Sequence, residues 1–182
     1  GQAPALAATI NVGGTCTGVR AMVAANNDTT ASGNCTKGAG ADSIVLPRNS
    51  MQTLTRANNI HPDYGSSGLP IVRSKITIDG NGSTIRRVST LEQFRILAVA
   101  DNGNLTLQET TVSGGDAETG LIGDVGGGIL NYHGRLNIIA STISRNHATL
   151  GGGIHNEQGR LTVTVSTISE TRLPPTVRGS SA

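Results

Sequence analysis

The side chains that could carry chemistry gather in one stretch of the chain. Asp116, Glu118 and Asp124 lie close together, and His133, Arg145, His147 and His155 follow them. Grouped carboxylates with a nearby imidazole or guanidinium suit two reactions on acidic polysaccharides. One is proton abstraction beside a carboxylate, as in a lyase; the other is hydrolysis by grouped acids. On that reading the catalytic candidates are Asp116, Glu118, Asp124 and His133. The pattern also has a plainer reading, a solvated loop with exposed histidines. A sugar cleft commonly offers aromatic platforms, and the only aromatic rings besides histidine are Phe94, Tyr64 and Tyr132, with no Trp. The chain has no G-x-S-x-G, phosphate-binding loop or HExxH, and no spacing that calls for a metal or cofactor.

Cys16 and Cys35 stand apart from that stretch. Bonded, they would close a loop of about the size that stabilises a fold by about 3 kcal/mol and would imply export. Unbonded, they would be two buried thiols of a cytosolic protein. The small polar neighbours Gly14, Thr15, Thr17, Asn34 and Thr36 favour the disulfide. Neither a CxxC pair nor a close histidine suggests zinc. Asn27, Asn34, Asn81 and Asn104 each open an N-x-S/T sequon, expected by chance in a chain so rich in Asn, Ser and Thr.

The elements that must position these residues follow from composition and repetition. Of 182 residues, 25 are Gly, 14 % are charged and 2 % are aromatic, with a formal net charge of +2. Such a chain favours short strands and tight turns over helices, and is too weakly charged for disorder. Nucleic-acid binding needs a dense basic face or stacking aromatics, and neither is present. No apolar run approaches the roughly 20 residues that span a bilayer, and no signal peptide with a basic start is visible.

The C-terminal half repeats with a fixed shift. Gly126-Gly127-Gly128-Ile129-Leu130-Asn131 returns as Gly151-Gly152-Gly153-Ile154-His155-Asn156. Gly134-Arg135-Leu136 returns as Gly159-Arg160-Leu161, and Ser141-Thr142-Ile143-Ser144 as Ser166-Thr167-Ile168-Ser169. Three blocks in one register mark a solenoid. Within each unit the apolar residues alternate, giving three short strands around Ile129, Leu136–Ile138 and Ile143. The expected fold is all-β: a right-handed parallel β-helix of about 25 residues per coil. Looser coils are expected from Ser43, Ile76 and Gly103 onward, five or six in all. Asn131 and Asn156 are expected at stacked corners, in left-handed conformation, with amides bonded in a ladder. Thr142 over Thr167 and Ser144 over Ser169 should stack likewise.

A single domain over 1–182 divides accordingly. Residues 1–12 read as an N-terminal strand that lies against an exposed edge, either of its own chain or of another copy. Residues 13–40 form a cap with a helix at 16–26, its apolar face made by Val19, Met22, Val23 and Ala25. Residues 41–169 are the coils, with 56–70 a surface loop and 115–125 an insertion. Residues 170–182 are a tail in which Pro174 and Pro175 stop strand pairing.

These motifs resemble a known family, the exported bacterial right-handed parallel β-helix repeat proteins with a CSLREA domain, also described as polymorphic outer-membrane-like. The resemblance runs from about Asn11 to Ser169. It rests on Cys16 to Asn26 with Cys35, Ala41-Asp42-Ser43-Ile44-Val45-Leu46-Pro47, Gly68-Leu69-Pro70-Ile71, Ile76 to Gly82, Phe94-Arg95 and the two GGGI-x-N units. Gly18, Val19 and Arg20 replace the Leu, Arg and Glu of the family's naming motif. The resemblance implies a secreted or surface-attached protein without a defined activity. The expected function is therefore a non-enzymatic structural or adhesive β-helix, with a surface glycan or cell-envelope component, or end-to-end contact between copies that grows into filaments, as its partners. The alternative is a polysaccharide lyase or another carbohydrate-active enzyme.

Overall fold

A computed structural model describes residues 3, 6–117 and 124–169. Glu118 and the tail expected at 170–182 lie outside the described residues. The described chain is mostly strand with one short helix. In chain order it runs β1 (Thr9–Asn11), α1 (Gly18–Asn27), β2 (Asp42–Val45), β3 (Met51–Leu54), β4 (Asn59–His61), β5 (Gly65–Ser67), β6 (Lys75–Arg87), β7 (Leu97–Val99) and β8 (Asn104–Ser113). Then follow β9 (Ile129–Tyr132), β10 (Arg135–Ile139), β11 (Thr142–Ser144), β12 (Ile154–Glu157), β13 (Arg160–Thr164) and β14 (Thr167–Ser169).

The strands wind into a parallel β-solenoid of about four turns. Its first face stacks β1-β2-β6-β8-β10-β13, its second adds β3, β11 and β14 beside the second halves of β6 and β8, and its third stacks β7-β9-β12. Alternation makes the core, because one side of every strand must point inward. On the first face Ile10, Ile44, Ile78, Leu107, Ile138 and Val163 align in one inward column; on the second Gln52, Ile85, Val112, Ile143 and Ile168 do so. The 25-residue period holds only for the last step, where Arg135 pairs with Arg160. Earlier steps are longer: Asn104 to Arg135 is 31, Lys75 to Asn104 is 29, and Ser43 to Thr77 is 34. The helix and a hairpin lengthen the early coils, so fewer complete turns fit than the five or six expected.

The corner between the first two faces turns through one left-handed residue per coil: Asn49, Asn81, Glu109, Ala140 and Val165 all have φ between 47° and 52°. Hydroxyls beside these residues tie successive coils. Ser166 Oγ accepts from Ser141 N at 3.0 Å, Ser141 Oγ from Thr110 N at 3.1 Å, and Ser83 Oγ from Ser50 N at 2.8 Å. On the first face Asn137 Nδ2 adds a further bond between coils, to Thr106 Oγ1 at 3.4 Å. Thr142 and Thr167, and Ser144 and Ser169, are register partners on the second face as expected.

Asn131 and Asn156 depart from expectation in one respect. Their amides do bond, Asn131 Nδ2 to Asn156 Oδ1 at 2.6 Å, but both residues sit within strands, and the left-handed corner belongs to His133 (φ 60°) and Gln158 (φ 51°). Their column continues through Val99 and Val72, so Asn131 points inward and is fully buried. The glycine triplets have a packing cause. Gly126 and Gly151 hold φ of 64° and 60°, and a Cβ on Gly127 would strike the His147 carbonyl.

At the N-terminal end, β1 pairs with β2 of its own chain, and α1 lies over the solenoid interior. Thr17 caps the helix, its side chain accepting from Arg20 N at 3.3 Å. The buried face is Ala21, Met22, Ala24 and Ala25 rather than one including Val23, which is 37 % exposed. Small alanines let the helix approach the strands closely. Residues 59–67, expected as loop, form the antiparallel hairpin β4–β5.

Candidate functional site

The Cys16–Cys35 disulfide is formed, with Cα atoms 4.9 Å apart, and among the described residues no cysteine is free. Both cysteines are buried in the core cluster beneath α1, despite their polar sequence neighbours. The bond ties the start of the helix to the loop that follows it. A disulfide is compatible with an extracellular location. Among the described residues no helix is long and apolar enough to cross a membrane.

The candidate acids and imidazoles divide between two places. Asp116 forms an isolated parallel bridge with His147. Its Oδ1 is 3.7 Å from His147 Nδ1, and its Oδ2 is 3.5 Å from Arg87 Nη2 and accepts from Gln93 Nε2 at 3.3 Å. Arg87 in turn donates to the carbonyls of Gly114, Ser89 and Glu92 and lies over the Phe94 ring. Asp116 thus clamps segments from three coils. Asp124 acts partly through its backbone, its carbonyl accepting from Thr149 N and Leu150 N.

Beside Asp124, Arg95 is fully buried. Its guanidinium donates to the Val125 carbonyl at 3.1 and 3.2 Å and to the Ser66 carbonyl and Ser67 Oγ at 3.4 Å. Burial pulls its pKa down to about 10, and the charge of Asp124 opposes that fall. This arginine bridges the hairpin, β7 and the segment before β9. In the sequence it stands out only through the Phe94-Arg95 motif.

His133 lies elsewhere, at the far end of β9 from Asp116 and Asp124. Its ring stacks on Tyr132 at 4.2 Å, Tyr132 meets Tyr64 at 4.7 Å, and Tyr64 stacks on His61 at 3.9 Å. Four rings from the hairpin and β9 therefore form one row outside the third face. Tyr64 and Tyr132 cover Ile71, Ala98, Ala100 and Leu130. Burial, and after it the charge of Asp101, raises the Tyr64 pKa above its ordinary 10.0. Next to the row, His155 occupies the register position of Leu130, and its Nε2 lies 3.2 Å from Glu157 Oε2. The row joins residues far apart in sequence, and only the hairpin's fold over the third face makes it.

Among the described residues no group of three or more His, Cys, Asp and Glu side chains is placed to hold a metal ion. The carboxyl group of Asp42, within the Ala41–Pro47 motif, is buried. It occupies the inward column of Ile76, Leu105 and Leu136, and its Oδ1 accepts from Ala8 N at 2.9 Å and Ala39 N at 2.8 Å. It ties the first strand and the cap loop to β2.

Fold and site together define a parallel β-solenoid with a disulfide-braced N-terminal cap. No family model, curated protein or solved structure matches the chain.

Proposed function

We propose that the protein is a non-enzymatic structural or adhesive solenoid of the cell surface, of the kind the CSLREA-type resemblance implies. The observation that carries the reading is the use made of the polar side chains that a catalytic centre would need. Asp116 links Arg87, Gln93 and His147, and His133 is stacked on Tyr132 at the other end of the third face. The disulfide supports an exported protein. The outward row of His61, Tyr64, Tyr132 and His133, with His155 and Glu157 beside it, is the surface for a glycan or cell-envelope component.

The apolar surface of the last described coil supports contact between copies. Val163 and Ile168 are 41 % and 43 % exposed, whereas Ile138 and Ile143, their partners one coil earlier, are fully buried. Association through this coil is by stacking of apolar surface, since β1 is engaged in its own chain.

The test is a screen of purified protein against pectins and uronate polymers, with and without calcium, followed by absorbance of unsaturated products and by reducing ends. No turnover is expected. Turnover abolished by Asp116→Ala or Asp124→Ala would overturn the proposal. For the contact between copies, sedimentation velocity should show concentration-dependent species that Val163→Glu removes; a monomer at all concentrations would overturn that part.

A further inference from the structure

The cap does not close the whole N-terminal end. On the first face β1 adds a rung beyond β2, whereas on the second face β3 is the outermost described strand. Beyond β3 lies a cavity of about 970 Å³, between it and the first turns of α1. Its floor is the solenoid core: Ile44, Leu46, Ile78 and Ile85, with Met22 from the helix and Leu69. Gln52 also lines it, in the inward column that Ile85 and Val112 continue. The charged residues lining the cavity are Arg20 and Arg56; among the described residues no carboxylate lines it. Arg56 is exposed. Arg20 is held in place, its Nη1 donating to the Thr15 carbonyl at 2.6 Å, beside the disulfide.

We propose that this cavity binds a saturated fatty acid of the size of laurate, with the acyl chain along the apolar floor and the carboxylate at Arg20 and Arg56. The volume lies at the upper end of the roughly 300–1,000 Å³ usual for small-molecule sites, which are apolar with a few placed polar groups. Charge selects the head group: two guanidiniums without a lining acid favour an anion over a neutral or cationic amphiphile. The site is independent of the acids and rings discussed above, so it stands or falls apart from the reading of those residues as non-catalytic.

Laurate titrated into the full chain by isothermal calorimetry tests it, with dodecanol and dodecyltrimethylammonium as the neutral and cationic comparisons. One laurate per chain is expected, weakened about three- to fivefold by Arg56→Gln, as for a partly exposed ion pair. Val19→Trp, which fills the cavity from the helix, should abolish it; if that variant fails to fold, Thr55→Trp at the exposed rim serves the same purpose. No saturable binding, equal binding of dodecanol or the cation, or full binding by a folded Trp variant would overturn the proposal. So would laurate affinity that falls as the protein self-associates, because the cavity would then belong to the end of a second copy.

Discussion

Ile143 and Ile168 are the same residue in the same inward column one coil apart, yet the first is fully buried and the second 43 % exposed. Replacing each with Ala therefore isolates the effect of the coil beyond. At Ile143 the three lost carbons are worth about 2.5 kcal/mol at ~0.8 kcal/mol per buried CH₂. A cavity closed above and below by Val112 and Ile168 brings the total to about 3–4 kcal/mol. At Ile168 roughly half the transfer term applies and solvent fills the space, so about 1 kcal/mol is expected. Urea unfolding followed by far-ultraviolet circular dichroism measures both, and the difference should be about 2 kcal/mol or more. Because a solenoid gains stability by nearest-neighbour contacts, hydrogen exchange at β14 should rise in the Ile168→Ala variant while β8 stays protected. Equal losses for the two variants would refute the reasoning, since the last coil would then be covered as completely as the one before it.

Three further outcomes are expected. Asn131 Nδ2 donates to the oxygens of Gly134, Asn156 and Arg160, so Asn131→Asp, the same shape with the donor removed, should cost about 3 kcal/mol or more at neutral pH; the loss should shrink as acid protonates the carboxyl, read from thermal melts between pH 4 and 7. Reducing the Cys16–Cys35 bond should cost about 3 kcal/mol, with exchange accelerated first in Gly18–Asn27, and peptide mapping without reductant should recover the two cysteines linked; two alkylatable thiols in untreated protein would contradict the structure. In a Tyr132→Phe variant, phenolate absorbance near 295 nm should show Tyr64 ionising above pH 10, and Asp101→Asn should move it back down. The unfolded chain then loses that proton first, so the stability linked to Tyr64 is intact below pH 10 and falls as pH rises through the folded-state value; a midpoint at or below 10 would contradict the burial of that ring.

The solenoid was legible because it is written locally and repeatedly. Period-two alternation puts Leu136, Ile138 and Ile143 on one side of their strands whatever surrounds them, and the GGGI-x-N blocks keep the same register one coil later. The two cysteines and the one helical segment announced the cap in the same way. What is not local was not legible. Nothing near Tyr64 says that it will meet Tyr132, because their contact depends on a hairpin folding across the third face. Arg95 and Asp42 look like ordinary surface charges until the coils close over them. The coil length varied because insertions break the period without breaking the stack. The cavity above β3 is lined by α1, β3 and core residues of successive coils, a product of stacking that no segment of the chain carries by itself. Periodicity is a property of neighbours in sequence and so determined the fold; the sites arise where distant coils and their insertions meet, and tertiary structure alone decided those.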